Sequence, residues 1–199
     1  ALIAAFEAQF GGWDEKLGRG QKYWLFIIAT DKQQAGNIFH IVKTLFAGFP
    51  GSIERETADE LWLKNGACIG GKSPAYRSIR GFNVALAILD EMAFFRDDRS
   101  ANPCDEILTS LLPSLLDGGR VLGISTPFAK YGTLYEIWKN SFGDSEAEQL
   151  VWKAPTQVMN PSYKQSTIDK LLKRDRVLFT TEYLAEFRED LESFLPESL

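Results

Sequence analysis

The sequence has few residues of the types that build disulfide scaffolds, zinc sites or membrane spans. Its 199 residues include two cysteines and one histidine. Cys68 and Cys104 have no second cysteine or histidine at metal-ligand spacing, which argues against a disulfide framework and a zinc site. No apolar run approaches the roughly 18 residues of a membrane span. Positive charge is not in excess either. The net charge of −5 gives no support for nucleic-acid binding over the whole surface, although it leaves room for a local basic groove.

Length and composition are those of an ordinary globular protein. With 45% hydrophobic and 25% charged residues, the chain can form one domain with a full core, or a domain with a small appendage. The first residue, Ala1, already lies in an alanine-rich helical pattern that extends to Phe10. We therefore expect the chain to be a piece of a longer protein.

Apolar runs of strand length alternate with amphipathic stretches, which predicts an α/β fold with a mainly parallel sheet. The runs at 23–29, 84–89 and 120–125 are typical of strands that are buried on both faces. A helix capped by Thr30 or Asp31 should follow the first run. The apolar positions expected to face the sheet are Ile38, Ile41, Val42 and Leu45.

Other local patterns complete the predicted fold. Asn65-Gly66 lies between two strand-like runs and predicts a hairpin with a type I′ turn. Asn102-Pro103 predicts the start of a helix that runs to about Leu116 and stops at Asp117-Gly118-Gly119. Further predictions are a helix at 133–140, a strand at 150–153, and two charged helices at 166–173 and 177–189.

The clearest functional pattern is a pair of adjacent carboxylates directly after a buried strand. Asp90 and Glu91 follow the apolar run at 84–89. Because an unpaired buried carboxylate is costly, both should lie just past the carboxyl end of the strand, where open α/β sheets bind ligands. The pattern resembles the Walker B motif of P-loop NTPases, in which the Asp holds the Mg²⁺ shell and the Glu orients the attacking water. The alternative is a buried strand that runs into an acidic turn.

Ser125-Thr126-Pro127 is a second signal. It ends the run at 120–125, which should lie beside the strand before Asp90. Ser125 and Thr126 would then place two hydroxyls at the same edge of the sheet, where they could hydrogen-bond a γ-phosphate or its water. Taken alone, such a tripeptide often only ends a strand.

Two basic features each allow two interpretations. Arg80 lies in the loop before the strand that ends at Asp90, so it should sit at the opposite end of that strand. It could reach a neighbouring subunit's phosphate as an arginine finger, or it could bond loop carbonyls at the surface. The basic cluster at 170–176 could touch DNA phosphates, but a solvated helix face is the simpler interpretation.

Residues 66–73 match the P-loop pattern G-x-x-x-x-G-K-[ST], and we interpret this match as a decoy. A P-loop joins a buried strand to a helix whose amides hold the phosphates. Here Gly66 already belongs to the Asn-Gly turn, and Pro74 directly follows the match. The next strand begins about ten residues later, whereas a parallel crossover needs a dozen or more.

In their order and spacing, these features resemble the ATPase domain of the large terminase subunit of tailed phages, the motor that packages DNA. The segments that carry the resemblance are 27–35, 64–66, 80–82, 86–94, 123–127 and 181–187. The resemblance implies a P-loop NTPase core of the ASCE type in residues 1–155, with its first strand and P-loop missing. It also implies a helical lid or linker in residues 156–199, which leads to an absent nuclease domain.

The same resemblance implies roles for the candidate residues. Asp90 would hold Mg²⁺ through water, and Glu91 would be the catalytic glutamate. Ser125 and Thr126 would contact the nucleotide and couple its hydrolysis to movement, and Arg80 would be the arginine finger in trans. The genuine Walker A motif is expected immediately before the first residue, so these 199 residues alone should lack ATPase activity.

Cofactors, partners and location also follow from the resemblance. ATP and Mg²⁺ are the implied cofactors. Double-stranded DNA, the portal protein and the small terminase subunit are the implied partners, and the large subunits would form a homo-oligomeric ring. The implied location is the cytoplasm of the bacterial host, transiently at the procapsid portal and not in the mature virion, with no membrane partner.

Two other functions stay open. Another P-loop motor, such as a helicase or an AAA-type ATPase, is the first alternative; a helicase should carry further arginine-bearing motifs downstream, and the sequence does not show them. A non-catalytic prophage remnant is the second alternative. The presence of both Asp90 and Glu91 argues against it, because drift is not expected to spare both carboxylates.

Overall fold

The computed structural model describes residues 1–72, 79–96 and 103–188. The strands are β1 (Tyr23–Ile28), β2 (Ile53–Glu56), β3 (Glu60–Leu63), β4 (Ala67–Lys72), β5 (Val84–Asp90) and β6 (Leu115–Ile124). The helices are α1 (Leu2–Phe10), α2 (Lys32–Phe46), α3 (Pro103–Leu111), α4 (Thr133–Ser141), α5 (Thr156–Met159), α6 (Gln165–Arg174) and α7 (Arg176–Leu184). The chain divides into two compact units, Ala1–Ile124 and Ser125–Leu199. The expected division into functional parts at residue 155 stays a prediction.

The first unit contains a six-stranded sheet in the order β2-β3-β4-β1-β5-β6. β1 pairs in parallel with β4 and β5, and β5 pairs in parallel with β6. β3 is antiparallel to both β2 and β4. The predicted α/β fold with a mainly parallel sheet is therefore confirmed, and the antiparallel strands lie together on one side of it.

The core is built on β1 and β5. All six residues of β1 are buried, and in β5 only Asp90 is partly exposed. The run at 120–125 was expected to be buried as well, but that prediction is wrong: β6 is the last strand in the order of the sheet, and none of its residues is buried. Leu25 and Ile27 belong to one buried cluster with residues of α1 and α2, and the Tyr23 hydroxyl donates a hydrogen bond to the Ala8 carbonyl oxygen at 3.1 Å. Full burial of each large apolar side chain is worth about 1.5–3 kcal/mol. The packing of β1 and β5 therefore fixes the position of the sheet edge at which Asp90 lies.

The prediction for α2 is right about its start and partly right about its buried face, since Val42 is buried and Ile38 packs against the core cluster. Asp31 is the N-cap, and its carboxylate accepts a hydrogen bond from the Gln34 backbone amide at 2.8 Å. Ile41 and Leu45 were expected to face the sheet, but 53% and 36% of their surfaces are exposed, while Ile38 is half-buried. The residues of α2 that are buried are Ala35, Phe39, Val42 and Phe46.

Close packing on β4 explains the rotated face of α2. A β-carbon at Gly71 would already be in van der Waals contact with the Ala35 carbonyl oxygen, at 3.4 Å, so a side chain larger than a methyl group would hold the first turns of α2 away from the sheet. With Ala35 in that position, helical spacing brings Phe39 inward and turns Ile41 outward.

The predicted hairpin is confirmed, but its turn is not type I′. β3 and β4 are antiparallel neighbours, and Gly66 has a φ of 91° whereas Asn65 is not in the positive-φ region. Asn65 instead uses its side chain: its Oδ1 accepts from the Ala67 amide at 3.1 Å, and its Nδ2 donates to the Ala8 carbonyl oxygen at 2.8 Å. A longer loop with one left-handed glycine is the common alternative to type I′.

The boundary between α3 and β6 also differs from the prediction. α3 ends at Leu111, before the predicted Leu116, and Pro113 lies in a short 3-10 turn that follows it. Residues 117–119, expected to stop the helix, belong to β6. Proline removes a helical hydrogen bond and ends the helix early. The predicted cap Asn102 lies outside the described residues.

Glycine makes the early start of β6 possible. Gly118 has a φ of 75°, and a β-carbon at Gly119 would lie 2.8 Å from the Leu116 carbonyl oxygen and 2.9 Å from that of Val84. The pairing with β5 shifts register there, since Val84 is opposite Leu115 and Leu86 is opposite Arg120. The glycines therefore allow an irregular stretch inside the strand instead of stopping a helix.

The second unit is helical in its described part. α4, α6 and α7 correspond to the helices predicted at 133–140, 166–173 and 177–189, although α7 ends at Leu184 and residue 189 lies outside the described residues. The short α5 was not predicted. The strand predicted at 150–153 is wrong. Residue 150 is 96% exposed, and the described part of this unit has no strand with which that stretch could pair.

Candidate functional site

The carboxyl ends of β1 and β5 lie side by side because the two strands are parallel neighbours. Ile28 is opposite Leu89 in the register. Residues that directly follow β1 are therefore brought to the end of β5, where Asp90 and Glu91 lie. The first turn of α2 starts at the same edge of the sheet.

Asp90 is held by a hydrogen-bond chain from the β1–α2 connection and the first turn of α2. Gln34 donates from its Nε2 to the Asp90 Oδ2 at 2.7 Å. The Thr30 hydroxyl donates in turn to the Gln34 Oε1 at 2.6 Å. Sequence reasoning missed Thr30 and Gln34 as site residues. The available signal was Asp31-x-x-Gln34, a capping-box spacing that places a glutamine in the first turn of a helix after a strand.

Glu91 has an unusual backbone conformation. Its φ is 57° and its ψ is 43°, in the left-handed region, and it precedes a short 3-10 turn, Met92–Phe94. In the described residues, Ala185 is the other non-glycine residue with positive φ. A residue with a β-carbon pays about 1–2 kcal/mol for this conformation, and such strain often occurs at functional sites. Glu91 is half-buried, directly beyond the last residue of β5.

The serine-threonine pair directly follows the last residue of β6 in the chain. Asp90 is opposite Ile124 in the parallel ladder, which confirms that the strand before Ser125 neighbours the strand before Glu91. The Ser125 hydroxyl donates a hydrogen bond to the Thr126 carbonyl oxygen at 2.9 Å. The nucleotide-contacting role of Ser125 and Thr126 stays a prediction.

Arg80 lies at the other end of β5. It is exposed in a turn that includes Gly81, with a φ of 90°, and β5 begins only at Val84. The expected separation of Arg80 from Asp90 along the strand is therefore observed. Its role as an arginine finger in trans stays a prediction.

The segment that matches the P-loop pattern is a strand in its described part. Ala67–Lys72 forms β4, which is paired with β1 on one side and β3 on the other, so its backbone amides serve the sheet. The Lys72 ammonium lies 3.4 Å from a carboxylate oxygen of Glu60. These contacts are those of a sheet strand and differ from a loop that leads into a helix. Residues 73 and 74 lie outside the described residues.

One of the arguments against a P-loop at residues 66–73, the short spacing to the next strand, was wrong. β4 and β5 are both parallel to β1, yet only residues 73–83 connect them. The connection is shorter than the dozen residues expected for a parallel crossover. The argument against a P-loop at this position therefore depends on the strand pairing of β4, and the spacing to β5 does not contribute to it.

The described residues contain no group of three or more histidine, cysteine, aspartate or glutamate side chains that could hold a metal ion. Cys68 and Cys104 are both buried and neither is in a disulfide, and burial is the largest cause that raises the pKa of Cys68 to about 12. No helix in the described part of the chain is long and apolar enough to cross a membrane.

Solved structures with the same fold are large terminases of phages. The HK97 bacteriophage large terminase is 16% identical with a TM-score of 0.65, over 94% of this chain and 43% of that one. The Thermus phage P74-26 large terminase ATPase domain is 21% identical with a TM-score of 0.62, over 93% of this chain and 81% of that domain. The large terminase of another thermophilic bacteriophage is 12% identical with a TM-score of 0.61, over 92% of this chain and 44% of that one.

This last large terminase is also known in complex with ADP, where the identity is 11% and the TM-score 0.56. No protein-family model matches the chain, and a search of curated proteins finds no match. The chain spans less than half the length of the thermophilic-phage protein and of the HK97 protein. It therefore has the P-loop NTPase-like fold of the phage large-terminase ATPase domain.

Proposed function

We propose that the chain is the ATPase motor domain of a viral large terminase subunit, which couples hydrolysis of Mg-ATP to the packaging of double-stranded DNA into a procapsid. One observation carries this proposal. Two adjacent carboxylates, the second on a strained left-handed backbone, lie at the carboxyl edge of a parallel sheet whose fold is that of the large-terminase ATPase domain. This edge is where open α/β sheets bind their ligands.

The donor set fits Mg²⁺ bound together with a nucleotide. Mg²⁺ is usually held by one or two carboxylates, with water and substrate phosphates completing its shell. Asp90 offers a carboxylate at the edge of the sheet, and the described residues have no larger carboxylate cluster that would form an all-protein cage. When bound, the ion would neutralise the phosphate charge.

The other residues have distinct roles in this proposal. Glu91 orients and polarises the attacking water, and Ser125 and Thr126 contact the γ-phosphate side and respond to its loss. Arg80, at the far end of β5, acts on the nucleotide of the next subunit in a ring.

The proposed partners and location follow the same assignment. The motor works on double-stranded DNA at the portal protein of the procapsid, in the cytoplasm of the bacterial host, together with a small terminase subunit. The thermophilic-phage large terminase bound to ADP supports a nucleotide as the ligand of this fold.

Substitution of the two carboxylates tests the proposal. Both variants are made in the complete gene product. Glu91→Gln keeps the shape of the side chain and removes its charge, and Asp90→Asn makes the same change at the residue proposed to hold Mg²⁺. We expect Glu91→Gln to lower the ATP turnover rate by about 10²–10⁴-fold with little change in nucleotide affinity, because water activation is lost. Asp90→Asn should instead weaken the dependence of nucleotide binding on Mg²⁺.

The exposed Glu148 provides the matched control. Glu148→Gln removes one carboxylate outside the site and should leave ATP turnover unchanged. Turnover of Glu91→Gln equal to that of Glu148→Gln would show that Glu91 has no part in hydrolysis and would contradict the proposal.

A further inference from the structure

We propose that Gln34 is a positioning residue that fixes the orientation of the Asp90 carboxylate, and that Thr30 in turn fixes the orientation of the Gln34 amide. The inference rests on the proposed function, in which Asp90 holds hydrated Mg²⁺. It adds Thr30, from the β1–α2 connection, and Gln34, from the first turn of α2, to a site whose metal and nucleotide residues the sequence pattern placed at the ends of β5 and β6.

The two hydrogen bonds select one orientation of the Gln34 amide. The Thr30 hydroxyl donates to Oε1 at 2.6 Å, and Nε2 donates to Asp90 Oδ2 at 2.7 Å. A flipped amide would put its carbonyl oxygen against the carboxylate, and neither group could then donate. The carboxylate only accepts, so it selects the orientation in which the NH₂ group is directed at it, and the bond from the Thr30 hydroxyl to Oε1 holds the amide in that orientation.

The backbone of Gln34 is also held in place. Its amide donates to the Asp31 cap at 2.8 Å, and the next residue, Ala35, is fully buried against Gly71 of β4. The side chain of Gln34 is half-buried. The donor that reaches Asp90 thus comes from the packed first turn of a helix, so it limits the rotation of the carboxylate.

The chemistry of an amide suits this position. Gln34 occupies one carboxylate oxygen, Oδ2, and leaves Oδ1 for a hydrated ion. A lysine or arginine in its place would pair with Asp90 and compete with Mg²⁺ for the negative charge. The neutral amide orients the carboxylate and keeps that charge. Groups that orient a metal-binding carboxylate in this way typically change metal affinity by about 10–100-fold when they are mutated.

Two readouts on the complete gene product test the inference. The first is the Mg²⁺ concentration for half-maximal ATP turnover at saturating ATP. The second is the binding of Mn²⁺ in the presence of ADP, measured by electron paramagnetic resonance without turnover. Gln34→Met keeps the length of the side chain and removes its donor. We expect it to raise both half-saturating metal concentrations about tenfold or more, with the turnover rate largely recovered at high Mg²⁺.

Two further variants make the test specific. Thr30→Val removes only the hydroxyl and should raise both metal concentrations by a smaller factor than Gln34→Met. Gln33→Met changes an exposed glutamine on the same turn of α2 and should change neither. Thermal unfolding of each variant separates a metal effect from a loss of fold.

The outcomes distinguish this inference from the proposed function. If Asp90→Asn turns over ATP like the wild type, both fail. If Asp90→Asn is inactive while Gln34→Met needs no more metal than Gln33→Met, only the inference about Gln34 is overturned. A lower unfolding temperature of Gln34→Met with an unchanged metal dependence would also overturn it, since Gln34 would then act only on stability.

Discussion

Replacing Glu91 by glycine and by alanine separates the cost of its backbone from the chemistry of its carboxylate. Glu91 has φ 57° and ψ 43°, and a residue with a β-carbon pays about 1–2 kcal/mol in this region. Glu91→Ala keeps that cost, and Glu91→Gly removes it. Glycine loses about 0.5–1 kcal/mol more conformational free energy on folding. The difference leaves the glycine variant more stable than the alanine variant by about 0.75 kcal/mol at the middle of the two ranges, whose extremes give about 0–1.5 kcal/mol.

Urea unfolding of the 199-residue chain, followed by tryptophan fluorescence, measures this difference. With a slope of about 2–3 kcal/mol per molar urea, the midpoint of Glu91→Gly should lie about 0.2–0.5 M above that of Glu91→Ala. Both variants lack the carboxylate, so the comparison reports the backbone alone. In the complete gene product, both should be defective in ATP turnover.

Glycine substitutions at two alanine positions provide controls, because they should change the free energy of unfolding in opposite directions. Ala185 has a φ of 55°, so Ala185→Gly should stabilise the chain in the same way. Ala5 lies within α1, where Ala5→Gly should destabilise it by about 1 kcal/mol. If Glu91→Ala is instead more stable than Glu91→Gly, by an amount like that seen at Ala5, Glu91 is not left-handed and the strain argument fails.

The remaining predictions concern the decoy, the sheet and a buried thiol. The 199 residues alone should show no ATP turnover; Glu91-dependent turnover by them would contradict the interpretation of residues 66–73 as a decoy. Gly119→Ala should lower the free energy of unfolding by about 1–3 kcal/mol, because its methyl group would lie 2.8 Å from the Leu116 carbonyl oxygen, whereas Gly51→Ala, with open space around it, should be near neutral in the same urea titration. Burial raises the pKa of Cys68 from its ordinary value of 9.0 to about 12, so the folded state favours the protonated thiol. The free energy of unfolding should therefore fall as the pH rises from about 9 towards 12, because the unfolded chain loses this proton first. Cys68→Ala should flatten that part of the stability–pH curve, and an equal slope in both proteins would count against the effect.

The sequence was most informative where a pattern is local and strongly apolar. The buried strands β1 and β5 and the position of Asp90 at the end of β5 were predictable, because continuous apolar runs and an abrupt change to carboxylates are signals within a few residues. The cap at Asp31 was predictable for the same reason.

Features that depend on contacts distant in the chain were not predictable. The buried face of α2 is set by Gly71 of β4, and the early start of β6 depends on a glycine that passes close to the Val84 carbonyl oxygen. The apolar run at 150–153 has the composition of a strand but no partner strand in the described part of its unit. The bond from Gln34 to Asp90 joins residues 56 positions apart, so no short motif contains it.

A crystal structure of the complete gene product with ADP and Mg²⁺ tests the central claim most directly. The account predicts that the nucleotide phosphates and the ion lie at the carboxyl edge of β5, with the ion within one water of the Asp90 carboxylate and Glu91 still at positive φ. A nucleotide bound elsewhere on the molecule, with no phosphate or ion near Asp90, would contradict it.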